Sequence, residues 1–124
     1  LGFDLAGVVE AVGANAEHFR PGDRVFGACS TRKAGAFAEF AVAPEDRLVA
    51  MPDDASFDEA AAIPTSACTA LEGLRDHGKI RPGSRVLING ASGGVGTFAV
   101  QLAKALGGEV TAVCSTGKVA QTLA

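Results

Sequence analysis

Apolar residues follow a helical period over one stretch of the chain and form short runs or alternations over most of the rest. Val95, Phe98, Ala99, Leu102, Ala103 and Leu106 fall at i, i+3, i+4, i+7, i+8 and i+11, while Thr97, Gln101 and Lys104 point elsewhere. That spacing predicts an amphipathic helix. Val86, Leu87 and Ile88 form a strand-length run ahead of it, and residues 109–114 supply a second strand after it. Between the first strand and the helix stands G-A-S-G-G-V-G, residues 90–96. A strand, a glycine-dense turn and a helix in this order form the front half of a phosphate-cradling βαβ unit.

The earlier chain has a different rhythm. Residues 1–12 read as β-rich, and 13–19 as a polar connector. Arg20-Pro21-Gly22-Asp23-Arg24 is a Pro-Gly turn that leads into a strand over 25–28. Residues 30–35 form a basic, flexible loop. Residues 36–43 alternate well enough for a strand anchored by Phe37 and Phe40, and 47–51 make another, ended by Pro52. Short strands with Gly and Pro turns at this spacing predict a small barrel or sandwich. After Pro52 the pattern turns helical. Ser56 and Glu59 have capping-box spacing for a helix over 57–63, which ends before Pro64. A second helix covers 66–74 and reaches a loop at Asp76-His77-Gly78, and a further helix starts from about Lys118. The fold class is therefore α/β with an all-β part. Two parallel strands cannot bury both faces of a sheet, so the chain is expected to be a piece of a longer protein or to depend on partner chains.

Composition narrows the functions. A formal net charge of −3 over 124 residues, with no basic cluster, argues against nucleic acid. No apolar run approaches the roughly 20 residues that span a bilayer, so no membrane role is expected. Cys29, Cys68 and Cys114 are odd in number and far apart, which fits reduced thiols in the cytoplasm better than a disulfide framework. His18 and His77 lie in polar turns and read as solvated.

The glycines carry the chemistry. A dinucleotide pyrophosphate needs backbone N–H groups and the positive end of a helix brought close, where a Cβ would obstruct. Within Ala91, Ser92, Gly93, Gly94, Val95 and Gly96, Gly93 lets the backbone approach the pyrophosphate and Gly96 lets helix and strand pack closely. Ala91 stands where the fingerprint usually has Gly, and Gly90 adds freedom just before it; an alanine makes the turn if its φ stays negative. An acidic residue about 20 positions on would bind the adenosine ribose of NAD. Here that region is Cys114-Ser115-Thr116-Gly117-Lys118, and Glu109 stands at the wrong end of the strand. Ser115, Thr116 and Lys118 suit a 2′-phosphate, which makes NADPH the expected cofactor. Against this stands a simpler role: Ser-Thr caps the next helix and Lys118 is solvated.

Several stretches, taken in order, resemble the zinc-free medium-chain dehydrogenase/reductases of the quinone oxidoreductase-like group. They are G-F-D-L-A-G-V-V-E-A-V-G (2–13), R-P-G-D-R-V-F-G (20–27), G-A-F-A-E-F (35–40), E-A-A-A-I-P (59–64), T-A-L-E-G-L (69–74) and G-A-S-G-G-V-G (90–96). The resemblance implies a partial GroES-like β-barrel catalytic domain over residues 1–66. It is followed by the first βαβ unit of a Rossmann doubly wound parallel sheet over 67–124, with nicotinamide in the cleft between the two. It also implies that both ends of the family's chain lie outside these residues. Where the zinc-dependent branch has a His ligand this chain has Phe3, and where it has a second Cys ligand there is Thr65. The closely spaced cysteines of the structural-zinc lobe are missing between Gly27 and Gly35, so no metal is expected. Thr69 corresponds to a residue that contacts nicotinamide in this family, and Asp4 is a second catalytic candidate near the cleft. No Tyr is available as a proton donor, and Glu39 reads as structural.

The implied reaction is hydride transfer from NADPH to a small-molecule quinone or α,β-unsaturated carbonyl, whose conjugation carries the developing charge to an oxygen. A homodimer is expected for the full-length protein, and no activity for these 124 residues alone. Two alternatives remain at this point, a zinc-type alcohol dehydrogenase and a non-catalytic NADPH-binding protein.

Overall fold

Three short strands form the first sheet: β1 (Asp4–Val8), β2 (Arg24–Ala28) and β3 (Leu48–Ala50). They pair antiparallel in the order β1-β2-β3, with Ala6 opposite Phe26 and Phe26 opposite Val49. The computed structural model describes residues 1–29 and 35–123. The chain divides into two compact units, Leu1–Thr65 and Ser66–Ala124.

In the first unit the period of two is plain on β2, where Val25 and Gly27 are buried on one face and Cys29 continues that face just beyond the strand. Gly27 is glycine for lack of room: a Cβ there would stand 2.1 Å from the Arg47 carbonyl oxygen. Among the described residues, Val25, Cys29, Met51 and Ala60 are buried hydrophobic residues of this unit. Ala60 comes from α1 (Phe57–Ala61), which starts as expected: Ser56 accepts from the Glu59 amide and the Glu59 carboxylate accepts from the Ser56 amide. The Ser56 amide and hydroxyl hold the Glu59 carboxyl below its ordinary range.

Charged side chains fasten the loops of this unit. Arg24 donates to the carbonyls of Asp53 (3.2 Å) and Ala55 (2.7 Å) and lies 5.0 Å over the Phe57 ring. Glu45 accepts backbone N–H bonds from Glu17 (3.1 Å), His18 (2.6 Å) and Phe19 (3.0 Å), which hold its carboxyl below the usual glutamate range.

The strand expected over 36–43 does not form. The amides of Gly35, Ala36 and Phe37 bond the carbonyls of Gly2 and Leu1, after which the backbone bends. Phe37 and Phe40 are 83% and 73% exposed. An alternating pattern records a capacity to pair, and beyond the bonds to Leu1 and Gly2 residues 36–43 join neither sheet among the described residues. The strand expected over 47–51 is shorter, because a 3-10 turn (Glu45–Arg47) takes its first residue. The basic loop expected at 30–35 lies, but for Gly35, outside the described residues.

The second unit is built on two parallel strands, β4 (Arg85–Asn89) and β5 (Glu109–Val113), in register Val86 with Val110 and Ile88 with Ala112. Helix α3 (Gly94–Ala105) connects them. Its buried stripe is Gly96, Ala99 and Ala103, so Val95, expected to face inward, is exposed. Ala70, Ile88, Ala91, Ala99 and Ala103 form the core, with Leu74, Val86, Phe98 and Val110 around them. Leu87 on the other face of β4 is 69% exposed, as a two-stranded parallel sheet covered on one face only requires.

Helix α2 (Pro64–Leu71) begins two residues before the expected start, with Pro in the first turn, where its missing N–H costs nothing. It then runs on as a π-helical turn over Glu72–His77, closed by the Gly78 amide on the Gly73 carbonyl at 2.8 Å. The expected loop at 76–78 therefore shrinks to Gly78. After β5 a 3-10 turn (Thr116–Lys118) leads into α4 (Val119–Leu123).

Candidate dinucleotide site

The turn after β4 is tied down at both ends by backbone. The amides of Gly90 and Ala91 both donate to the Val113 carbonyl at the end of β5 (2.9 and 3.0 Å), and the Gly93 amide returns to the Gly90 carbonyl at 2.9 Å. Gly90 has φ +76°, a left-handed value that suits glycine. Ala91 keeps a negative φ and is 1% exposed. Alanine thus fills the first fingerprint position by serving the core. Gly96 is the tightest point: a Cβ on it would stand 2.1 Å from the Gly90 carbonyl oxygen and 2.8 Å from the Ala91 Cα. Helix and turn touch backbone to backbone.

This packing presents the start of α3 outward. Gly93 is the N-cap, extended at φ −83° and ψ 170°, and no side chain caps the helix. The amides of its first turn therefore have neither an intrahelical acceptor nor a capping oxygen. Gly93, Gly94 and Val95 are exposed. A 12-residue helix with an open, uncapped N-terminus at the carboxyl ends of two parallel strands is a seat for an anion. The residues present fit a dinucleotide phosphate.

At the end of β5, Cys114 is half-buried and Ser115, Thr116 and Lys118 are exposed. Ser115 is the N-cap of the 3-10 turn but makes no side-chain cap bond, so its hydroxyl is not spent on capping. Lys118 lies 3.3 Å from the Gln121 amide oxygen. The Gly turn and residues 114–118 thus meet at one end of the sheet, as the sequence pattern expects.

The two catalytic candidates are placed differently. Thr69 is exposed on α2, next to the buried Ala70. Asp4 belongs to the first unit, where its carboxylate accepts from the backbone amide (3.2 Å) and the hydroxyl of Thr65. It caps the first turn of α2 from 61 residues away. Ser66, which belongs to no motif, stands beside the first turn of α3, its Oγ 3.5 Å from where a Cβ on Gly94 would be. Among the described residues no group of three or more His, Cys, Asp or Glu could hold a metal ion, and no helix is long and apolar enough to cross a membrane.

The chain is similar to known proteins. Residues 1–53 match the alcohol dehydrogenase GroES-like domain. The chain is 48% identical over 118 residues to the spectinabilin polyketide synthase system protein NorB of Streptomyces orinoci, covering 95% of the chain and 5% of that protein. It is 42% identical over 115 residues to the quinone oxidoreductase of Pongo abelii, covering 93% of the chain and 34% of the relative. Among solved structures, the CurK enoyl reductase matches with a TM-score of 0.90 at 38% identity, over 98% of this chain and 36% of that one. The Escherichia coli quinone oxidoreductase complexed with NADPH matches with a TM-score of 0.90 at 35% identity, over 99% and 37%. The chain spans about a third of the quinone oxidoreductases it matches. With a GroES-like first part, a parallel βαβ unit and these relatives, the chain is similar to the medium-chain dehydrogenase/reductases.

Proposed function

We propose that this protein is a zinc-independent oxidoreductase that transfers hydride from NADPH to a quinone or an α,β-unsaturated carbonyl compound. The observation that carries the reading is the uncapped first turn of α3, fixed at the strand ends by the contact of Gly96 with the Gly90 carbonyl. In this reading the amides of Gly94 and Val95 hold the pyrophosphate, with Ser92 and Gly93 shaping the approach. Ser115, Thr116 and Lys118 hold the 2′-phosphate, and Thr69 orients the nicotinamide ring. The Escherichia coli relative, solved with NADPH, supports the choice of cofactor.

A conjugated acceptor needs no metal, because the charge that develops on hydride addition reaches an oxygen that hydrogen-bond donors can stabilise. By the resemblance to the zinc-dependent branch, Phe3 and Thr65 occupy the places of two of its zinc ligands, which supports a reaction without zinc. Within the conjugated acceptors, enoyl thioesters gain weight from NorB, a polyketide synthase protein, and from the CurK enoyl reductase. The assembled protein is expected to be a homodimer.

Steady-state oxidation of NADPH and NADH by the full-length protein, against quinones, enoyl thioesters and alcohols, tests the proposal. Turnover with the conjugated acceptors in metal-free enzyme is expected. Gly93→Asp, which puts a carboxylate where the phosphate belongs, should abolish it. Lys118→Ala should weaken NADPH roughly tenfold and leave NADH unchanged, the loss of one charge-assisted contact. Zinc-dependent alcohol oxidation would establish the zinc-type reading instead, and NADPH binding without turnover a non-catalytic one.

A further inference from the structure

The dinucleotide turn has a second wall that the glycine motif does not encode. Helix α2 packs against it through Ala70, which is 4% exposed and shares one buried cluster with Ala91 and Ala99. Ser66 precedes Ala70 by four residues, one helical turn, and so lies on the same face of α2. Its Oγ stands 3.5 Å from the point that a Cβ on Gly94 would occupy. A hydroxyl therefore sits beside the first residue of α3, where the helix amides are uncapped.

Ser66 is half-buried, and among the described residues its hydroxyl makes no hydrogen bond to protein. A partly desolvated donor at the positive end of a helix gains most from an anionic acceptor, since charge-assisted bonds are shorter and about twice as strong as neutral ones. In the first turn of α2, where Ser66 stands, a serine hydroxyl commonly takes a nearby backbone group as its partner. Here it has none, and the Gly94 side of α3 leaves the space open.

We propose that Ser66 is a further ligand of the dinucleotide site, donating its hydroxyl to the pyrophosphate from the α2 side while the α3 amides donate along the helix axis. This rests on reading the glycine turn as a dinucleotide site. The assignment explains why a polar residue stands one turn from the buried Ala70 on a face that otherwise serves the core.

Equilibrium binding of NADPH, NADH and ADP to the full-length protein, followed by fluorescence or calorimetry, tests it without relying on turnover. ADP carries the pyrophosphate but neither nicotinamide nor 2′-phosphate. Ser66→Ala should weaken all three by about tenfold, the loss of one hydrogen bond to a charged acceptor. Ser66→Thr, which keeps the hydroxyl, should recover most of the affinity. Unchanged affinity in Ser66→Ala, or a loss confined to NADPH, overturns the assignment while leaving the dinucleotide reading intact. If the unsubstituted protein binds none of the three ligands, both readings fall. Circular dichroism of Ser66→Ala keeps the result interpretable: a variant that loses affinity only by unfolding counts against the assignment.

Discussion

Each unit has one glycine where a Cβ would stand 2.1 Å from a carbonyl oxygen, Gly27 in the first and Gly96 in the second, but the rest of their fastening differs. In Ser66–Ala124 backbone meets backbone: Gly96 sits against the Gly90 carbonyl, and Gly90 and Ala91 share the Val113 carbonyl. In Leu1–Thr65 charged side chains reach across the fold to satisfy backbone groups. Glu45 takes three amides, Arg24 two carbonyls, and Asp4 the start of α2. The first strategy depends on the absence of atoms, the second on the presence of charge. They should therefore fail differently.

The sharpest test of the backbone strategy is Gly96→Ala. In an ordinary helix this change stabilises, by up to about 1 kcal/mol. Here the new Cβ would stand 2.1 Å from a carbonyl oxygen that the turn holds in place. Overpacking should win by a wide margin, with a loss of about 3 kcal/mol in chemical denaturation. Gly94→Ala is the control, because its Cβ would meet only the Ser66 Oγ at an ordinary 3.5 Å. It should be neutral or mildly stabilising. If the two variants behave alike, close approach is not what Gly96 provides.

The same contrast explains what could be read from sequence. The glycine turn was legible because its constraint is local: missing side chains within seven residues, between a strand and a helix, leave few other uses. The Ser56–Glu59 box was legible for the same reason, since its partners are three residues apart. Glu45 was not, because its partners lie 26–28 residues away and nothing in E-D-R announces them. Residues 36–43 misled because alternation records a capacity for pairing and not the neighbour that realises it. The buried stripe of α3 was read correctly at Ala99 and Ala103 but not at its start, where Gly96 and not Val95 faces inward, since Gly96 scores as no hydrophobe yet makes a close contact. Ser66 stayed hidden because a single Ser in a helix carries no pattern.

The charge strategy should show itself in pH. Three amides lower the Glu45 pKa from its ordinary 4.5, first through Glu17 and His18. A carboxyl lowered on folding contributes stability that is present above its unfolded value and is lost as pH falls through the folded one. Glu45→Gln should therefore lower the urea midpoint at pH 7, by less than Gly96→Ala does. The gap between variant and parent should close as pH drops below about 4.5. Glu59 titrates in the same direction, so the informative quantity is the difference between the two proteins. A gap of equal size at pH 7 and pH 3 would mean that Glu45 holds its loop by shape alone. The backbone contacts of the second unit should show no such dependence.

The smallest expected effect separates the two helix starts. Ser56→Ala removes an N-cap whose usual worth is about 1 kcal/mol. The loss should be local to α1, since Arg24 still grips the Ala55 carbonyl and Ala60 stays buried. Amide exchange over residues 57–60 should quicken while exchange in β4 and β5 is unchanged. Helix α1 spends the Glu59 amide of its first turn on the Ser56 hydroxyl. Helix α3 has a glycine at the equivalent position and no cap, so it forgoes that stabilisation and leaves its amides to a ligand. If that division is real, NADPH should slow exchange at the start of α3 in the full-length protein and leave α1 untouched. Equal protection of both helices would show that the uncapped start is not where the cofactor acts.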